Sequence, residues 1–393
     1  MSPIGKGKEG VMKISRRDYL KYVGGAAAGI ALGSVTGYYS GAAGGRVSAT
    51  TRTLTETQAT TEIMNRTAVE TMTKTESWSA SLRVAAEIRG LLVGAAARVE
   101  GLPDERYSDT LAREFNFLTP EMAMKWAEIH PTPDVWNFGP ADALVEFASD
   151  HGMKIKGHTL IWHALLPDYV NQQMSANELS AAMEEHIHMV VGHYRGRVSA
   201  WDVVNEAVDD HAGLRDSLFL DKLGDGYVAE AFQLAHEADP DALLIYNDYG
   251  AEGLGGKSDG VYALAKKLVT DDVPIDGVGL QMHVLATHYP NPNDIAANVR
   301  RLASLGLKVN ISEMDVGIRD ASGSLPDRLQ LQRRVYHDVI DACCRETNFM
   351  GVTFWGFTDA LSYDPAEEGL VFDESYAPKP AYWGILEALL RSP

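Results

Sequence analysis

The chain has 393 residues, of which 45% are hydrophobic and 23% charged, and it carries 35 basic against 54 acidic residues. These proportions are typical of a folded globular protein and exclude both a disordered chain and a protein that crosses the membrane many times. The formal charge of −19 argues against nucleic acid as a partner, because a phosphate backbone requires a basic face. The two cysteines, Cys343 and Cys344, are adjacent, which excludes a disulfide framework.

Residues 1–49 have the pattern of an export signal. A charged run that contains Arg16 and Arg17 precedes an apolar stretch, from Val23 to about Tyr39, that is rich in alanine and glycine. Paired arginines before a weakly hydrophobic stretch are typical of the twin-arginine route. The stretch is short for a membrane-spanning helix, which needs about 20 strongly apolar residues. We expect an extracellular or cell-surface protein that meets a membrane only through this segment, if it stays uncleaved.

Residues 50–80 have the composition of a linker. The stretch from Thr50 to Ser77 contains eleven threonines and no aromatic residue. Such a segment buries too little apolar surface to offset the entropy of ordering it. We predict a disordered Thr-rich linker, followed by one folded domain over residues 81–393.

Short apolar runs alternate with segments of helical periodicity eight times after Ser81. Eight strand–helix pairs over about 310 residues predict an α/β fold, the (β/α)8 barrel known as the TIM barrel. The eight runs are Leu91–Ala97, Phe115–Thr119, Lys154–Trp162, Val198–Asn205, Leu243–Asp248, Gly277–His283, Lys308–Asp315 and Gly351–Phe357.

A glycine-rich segment after the fifth run, Ala251–Ser258, is the one feature that favours a doubly wound nucleotide-binding sheet instead. It ends in the Gly-Lys-Ser of a phosphate loop, but Ala251 stands where that loop requires its first glycine. Its cation, Lys257, is flanked in sequence by Glu252 and Asp259, which suits a phosphate poorly. We interpret the segment as a flexible loop and retain the barrel.

Polar or indole side chains close the C-terminal ends of most predicted strands. The loops that follow the strands converge at this face of a barrel, and the active site lies there. These residues are Glu121 and Lys125 after the second run, His158, Trp162 and His163 at the third, Asn205 and Glu206 at the fourth, Asn247, Asp248 and Tyr249 at the fifth, Gln281 and His283 at the sixth, Glu313 and Asp315 at the seventh, and Trp355 at the eighth.

Two of these residues, Glu206 and Glu313, suit the hydrolysis or transfer of a glycosidic bond. That reaction requires one carboxylic acid to protonate the leaving oxygen and one carboxylate to stabilise or attack the anomeric centre. The two would face each other across the barrel mouth, where the charge of one raises the pKa of the other. Asn205 can bond the sugar 2-hydroxyl, and the indoles of Trp162 and Trp355 offer flat apolar faces to a pyranose.

Six short motifs follow one another between residues 81 and 390. They are Trp201–Ala207, His158–His163, Asp276–His283, Ile311–Asp315, Thr353–Asp359 and Pro378–Tyr382. Together and in chain order, they resemble the motifs of glycoside hydrolase family 10, whose members are mostly endo-β-1,4-xylanases. The resemblance covers the whole predicted barrel.

The resemblance implies a retaining double displacement on xylan, with Glu206 as acid/base and Glu313 as nucleophile about 5–5.5 Å apart. It implies that His283 bonds the nucleophile and holds it charged, and that no cofactor or metal is needed. We expect a monomer whose partner is a polysaccharide. The sugar-binding residues that the resemblance implies are Glu121, Lys125, His158 and Trp162 on the non-reducing side, and Tyr249, Gln281 and Trp355 around the cut.

Four positions depart from the family pattern. Met122 and Leu165 stand where the family usually has an Asn that bonds a sugar hydroxyl and a Gln. Gly250 replaces a frequent Asn, and Tyr363 replaces a Trp of the last loop. The lost hydrogen bonds, worth about 0.5–1.5 kcal/mol each, lie in the non-reducing subsites. We hypothesise a greater tolerance of β-1,4-glucosides; the alternative is that neighbouring residues refill the space, and xylan remains the first expectation.

Three other functions are weighed against this one. A metal-dependent hydrolase would need His158, His163 and His283 to converge, but the first two are five residues apart on an extended segment and would point to opposite faces. A non-catalytic sugar-binding protein would keep the aromatic residues but does not need both Glu206 and Glu313. A cellulase or mannanase on the same barrel stays open, with β-glucan as the alternative substrate.

Overall fold

The structure, a computed structural model, describes residues 81–391. The predicted signal and linker, residues 1–49 and 50–80, lie outside the described residues. Nearly continuous apolar runs form the strands because strands of a parallel sheet are buried on both faces. The strands are β1 Leu92–Ala97, β2 Phe117–Pro120, β3 Lys154–Trp162, β4 Ala200–Asn205, β5 Leu243–Asp248, β6 Gly277–Leu280, β7 His283–Leu285, β8 Lys308–Gly317 and β9 Phe349–Phe354.

Eight parallel strands close into a barrel. They follow one another in the order β6-β5-β4-β3-β2-β1-β9-β8, and β6 pairs with β8 to complete the ring, with Gly277 opposite Lys308. The short strand β7 pairs with β8, at the C-terminal end of that strand. The predicted (β/α)8 barrel is therefore confirmed for the described part of the chain.

Helices cover the outside of this barrel, and two of them begin with a capping box. Ser175 and Glu178 form a reciprocal capping box at the start of the helix Ala176–His193, and Ser324 and Asp327 form one at the start of the helix Leu325–Cys343. Within residues 81–391, the structure contains no helix long and apolar enough to cross a membrane. The helices are α1 Leu82–Arg89, α2 Glu105–Glu114, α3 Trp126–Ile129, α4 Gly139–Asp150, α5 Ala176–His193, α6 Leu218–Leu223, α7 Tyr227–Ala238, α8 Gly256–Thr270, α9 Pro292–Ala303, α10 Leu325–Cys343 and α11 Pro380–Leu390.

The sixth predicted run, Gly277–His283, is two strands and not one. Strand β6 ends at Leu280, and Met282 adopts a φ of +67°, a left-handed conformation that cannot continue a strand. The chain therefore turns at this point, and His283 opens the separate strand β7. This turn carries His283 away from the barrel wall and toward β8, where it pairs in register with Asp315.

The glycine-rich segment Ala251–Ser258 is built into the fold, which corrects its interpretation as a flexible loop. Helix α8 begins inside it at Gly256, and Lys257 is buried. The two acids that flank this lysine in the sequence bond to other groups: Glu252 accepts the backbone N–H groups of Gly250 and Met282 at 3.0 Å each. Asp259 pairs with Arg301.

Candidate active site

The two glutamates that the sequence singles out lie at the ends of β4 and β8. Glu313 is a buried residue of β8. Glu206 directly follows β4 and adopts a φ of +59°, which is uncommon for residues other than glycine and occurs at functional sites. Its backbone N–H donates to the carbonyl oxygen of Asn247 at 2.8 Å, so the next strand holds this conformation in place.

Three amide side chains connect the two carboxylates. Asn247 donates from Nδ2 to Glu313 Oε1 at 2.6 Å and to Asn205 Oδ1 at 2.9 Å. Gln281 donates from Nε2 to the same oxygen of Asn205 at 3.2 Å and to Glu206 Oε1 at 3.1 Å. Because Asn205, Asn247 and Gln281 are buried, this network fixes the position of each carboxylate relative to the other.

The carboxylate of Glu313 is held in its charged form. Burial would raise its pKa, but the imidazoles of His158 and His283 outweigh that effect and lower the pKa to about 2. His283 donates from Nε2 to Glu313 Oε2 at 3.3 Å, while its Nδ1 lies 2.7 Å from Asp315 Oδ2. Burial lowers the pKa of His283, but the negative charge of Asp315 raises it by a larger amount. The pKa of His283 therefore lies well above its usual value. Glu313 is therefore an anion at neutral pH.

His158 approaches the same carboxylate from the barrel interior. Its Nδ1 lies 2.9 Å from Asp202 Oδ2 and 4.0 Å from Glu313 Oε1. Lys156 Nζ lies 2.7 Å from that same oxygen of Asp202, and all three side chains are buried. Lys156 thus compensates a charge that would otherwise be isolated from water.

The three histidines that a metal-dependent hydrolase would need are used differently. His158 bonds Asp202, His283 bonds Glu313 and Asp315, and the ring of His163 packs against the edge of Trp162. Among residues 81–391, no three His, Cys, Asp or Glu side chains are grouped so that they could hold a metal ion.

Lys125 occupies the part of the site that the resemblance assigns to the non-reducing side. Its Nζ lies 4.9 Å from the ring centre of Trp162 and 5.6 Å from that of Trp355, so both indoles face the same cation. Burial lowers the pKa of Lys125. Glu121, also buried, forms a two-point ion pair with Arg98, at 2.8 and 2.5 Å. Lys125 is therefore the cation that both indoles share, and Glu121 is held by a separate ion pair.

The three substituted positions on this side have distinct surroundings. Met122 places its sulfur 3.6 Å from Lys125 Nζ, where a thioether is only a weak acceptor. Leu165 is 44% exposed and adopts a φ of +49°. Tyr363 is 65% exposed, in the loop between the single 3₁₀ turns Asp359–Leu361 and Pro365–Glu367. The structure thus leaves Leu165 and Tyr363 open to solvent and brings Met122 to the ammonium group.

Tyr249 lies on the other side of Glu206. Its hydroxyl accepts a hydrogen bond from Arg215 Nη2 and donates one to Asp210 Oδ1, both at 2.9 Å. Arg215 also donates from Nε to the backbone oxygen of Glu206 at 2.8 Å. The phenol is therefore tied to the loop that carries Glu206.

Asn247 is one of the polar residues near the end of the fifth run, but nothing in the sequence indicates that it connects the two glutamates. Other residues of this site were not among the sequence candidates. Lys156 and Asp202 are charged residues within apolar runs, and such residues are buried only when paired, so they carried a signal. Arg98 and Arg215 lie outside the strands, and nothing in the sequence near them reveals their partners.

A (β/α)8 barrel with two carboxylates at the C-terminal ends of its strands, one of them buried and charged, has the groups that a glycoside hydrolase requires. The chain belongs to glycosyl hydrolase family 10, whose model matches residues 81–388.

Comparison with known proteins gives the same result. The chain is 43% identical over 317 residues to endo-1,4-beta-xylanase B of Thermotoga neapolitana, which covers 78% of this chain and 91% of that protein. It is 36% identical to exoglucanase XynX of Acetivibrio thermocellus over 312 residues, and this aligned region covers 75% of this chain and 28% of that protein. The crystal structure of xylanase 10B from Thermotoga petrophila in complex with xylobiose is similar with a TM-score of 0.77 and 42% identity, over 80% of this chain and 98% of that one.

Proposed function

We propose that this glycoside hydrolase cuts β-1,4-xylosidic bonds within xylan chains by a retaining double displacement. The observation that carries the proposal is the pairing of Glu206 with Glu313 through three buried amides, which suits two carboxylates that act on one bond. The xylanases of Thermotoga neapolitana and Thermotoga petrophila support xylan as the substrate. No cofactor takes part in this reaction.

The surroundings of each glutamate support one role for it. Glu313, buried and anionic, attacks the anomeric carbon while Glu206 gives its proton to the leaving oxygen; the glycosidic C–O bond breaks and a covalent glycosyl-enzyme forms. In the second step, Glu206 takes a proton from water, whose oxygen attacks the anomeric carbon and displaces Glu313. Glu206 is the less buried of the two, as a group that exchanges protons with water must be.

The experiment for this proposal compares polysaccharides side by side. Soluble xylan, carboxymethylcellulose and mannan are incubated with the wild type and with Glu313→Ala, and released reducing ends are counted. Xylan cleavage that disappears in the variant supports the proposal. Cleavage of glucan or mannan without cleavage of xylan would overturn the assignment of xylan as the substrate. It would not affect the assignment of the fold or of the two carboxylates.

β-1,4-Glucan is the second candidate substrate, and two observations favour it. Met122 offers Lys125 a thioether in place of an amide, and Leu165 presents an exposed apolar side chain instead of a polar one. A relative described as an exoglucanase, which is similar to this chain over 28% of its own length, also supports this candidate. Fewer polar groups on the non-reducing side would reduce the discrimination against the hydroxymethyl group of glucose.

The combined change Met122→Asn and Leu165→Gln is expected to raise the preference for xylobiosides over cellobiosides about tenfold, because the restored amides bond sugar hydroxyls and also crowd out the hydroxymethyl group that only glucose carries. The measurement is kcat/KM for the aryl glycosides of both disaccharides. The control makes the same two changes at exposed helical sites, Met189→Asn and Leu325→Gln. If the ratio stays at its wild-type value, the glucan hypothesis is wrong.

We also propose that the protein is exported by the twin-arginine route and acts as a monomer outside the cell or at its surface. Its polymeric substrate is too large to enter a cell, and the Arg16–Arg17 pair precedes a weakly apolar stretch. Replacing both arginines with lysine is expected to keep the folded enzyme in the cytoplasm, as xylanase activity in separated cell fractions would show. Undiminished export would exclude this route.

A further inference from the structure

Lys257, the lysine of the Gly-Lys-Ser segment, is buried against the aromatic ring of Tyr249. Its ammonium lies 3.0 Å from the ring centre of Tyr249, so it covers one face of the phenol ring. The same nitrogen lies 3.2 Å from Asp248 Oδ1 and 3.3 Å from Asp210 Oδ1. Only 7% of the Lys257 side chain is exposed.

These contacts join three separate parts of the chain around one ring. Asp210 and Arg215 come from the loop after β4 and bond the Tyr249 hydroxyl. Lys257 comes from the start of α8 and is held by Asp248, the last residue of β5. Two hydrogen bonds therefore fix the hydroxyl of Tyr249, and the ammonium of Lys257 contacts one face of its ring.

The position of this cluster relative to the acid indicates which part of a substrate it meets. Glu206 would protonate the leaving oxygen, so the leaving sugar lies beside Glu206. Tyr249 is tied to the backbone of Glu206 through Arg215, whereas Lys125 reaches the site from the segment after β2, with Trp162 at the end of β3. Tyr249 and Lys125 thus lie on different sides of Glu206 along the barrel rim, and Tyr249 faces the leaving sugar.

We propose that Lys257 is a positioning residue for the binding of the leaving, reducing-side part of the substrate, and that it acts through Tyr249. The inference rests on the proposed function. Lys257 covers one face of the ring while Arg215 and Asp210 bond its hydroxyl, so the ring is already ordered before a sugar binds. Ordering a side chain on binding costs about 0.5–1.5 kcal/mol, which a preorganised ring avoids.

The test is Lys257→Met, which removes the charge and retains the length of the side chain. For xylotetraose, which extends past the cut, kcat/KM is expected to fall about tenfold, mostly through KM. For 2,4-dinitrophenyl xylobioside, whose activated leaving group departs without help from a bound sugar, kcat/KM is expected to change less than twofold. The matched control is Lys267→Met on the same helix, whose lysine is 60% exposed and pairs with Asp271.

A second variant guards against loss of the fold, because Lys257→Met leaves the buried Asp248 without its cation. Lys257→Met combined with Asp248→Asn removes both charges and is expected to show the same selective loss. Equal losses on both substrates, or no loss on either, would overturn the inference. If the wild type cuts cellotetraose and not xylotetraose, the proposed substrate fails, and the same comparison with cellotetraose still decides the role of Lys257.

Discussion

Glu313→Ala is expected to lower kcat by about 10⁴-fold or more on xylan and on activated aryl xylobiosides alike, because the variant lacks the proposed nucleophile of the first step. The loss does not depend on the leaving group, since no glycosyl-enzyme forms with any substrate. Steady-state rates with both substrates, at matched concentrations of folded protein, measure this effect. Removing Glu313 also frees the amide of Asn247 and the imidazole of His283, so circular dichroism should accompany the assay.

A small anion separates the role of Glu313 from a general loss of structure. Azide can occupy the space that the carboxylate leaves and attack the anomeric carbon directly, which yields a glycosyl azide of α configuration. The control is Glu237→Ala, an exposed glutamate on α7, which is expected to keep full activity. Activity within tenfold of wild type in Glu313→Ala, or a β-glycosyl azide from it, would contradict the assignment.

Glu206→Ala is expected to lower the rate on xylan by about 10²- to 10⁴-fold, the usual contribution of a positioned general acid. Substrates whose leaving groups depart without a proton should still form the glycosyl-enzyme, which then accumulates because no base activates water. Azide is expected to restore turnover of such substrates and to give the β-glycosyl azide, opposite to the product from Glu313→Ala.

The dependence on the leaving group is the sharpest measurement for Glu206. Across a series of aryl xylobiosides, kcat/KM of Glu206→Ala should fall steeply as the pKa of the leaving phenol rises, while the wild type shows a weaker dependence. Parallel dependences in the two proteins would mean that Glu206 does not transfer a proton to the leaving oxygen.

The barrel was predictable because its signal is local and repeated. Each run is apolar over the length of a strand, and the helical segments between runs keep their own period, as in α4 between β2 and β3. The break after Leu280 was not predictable, because the apolar and polar residues from Gly277 to His283 continue the strand pattern. Only the left-handed backbone at Met282 reveals that the strand has ended.

The site was predictable to the extent that strand ends define it. The criterion of a polar residue at a C-terminal strand end selected Glu206 and Glu313 and the amides of Asn205 and Gln281. It could not supply the partners, because the contacts join distant segments: His158 and Asp202 are 44 residues apart, and Asn247 and Glu313 are 66 apart.

Lys257 shows why neighbours in sequence mislead about charge. Glu252 and Asp259 flank it in the chain, yet its ion pairs are with Asp210 and Asp248, 47 and 9 positions away. Helix α8 starts at Gly256 and turns the lysine back toward β5, away from both flanking acids. The charges around Lys257 are set by the fold and not by its neighbours in the sequence. The sequence therefore could not reveal that Lys257 pairs with Asp210 and Asp248.

The central claim, that two glutamates act in succession on one anomeric carbon, is tested most directly by proton NMR of xylotetraose during its hydrolysis by the wild-type enzyme. Two displacements preserve the anomeric configuration, so the new reducing end formed at each cut is expected to appear as the β anomer, added to the constant α/β mixture of the substrate's own reducing end. The α signal should then increase only at the rate of spontaneous mutarotation. An initial increase of the α signal would show a single displacement by water and would contradict the role of Glu313 as nucleophile.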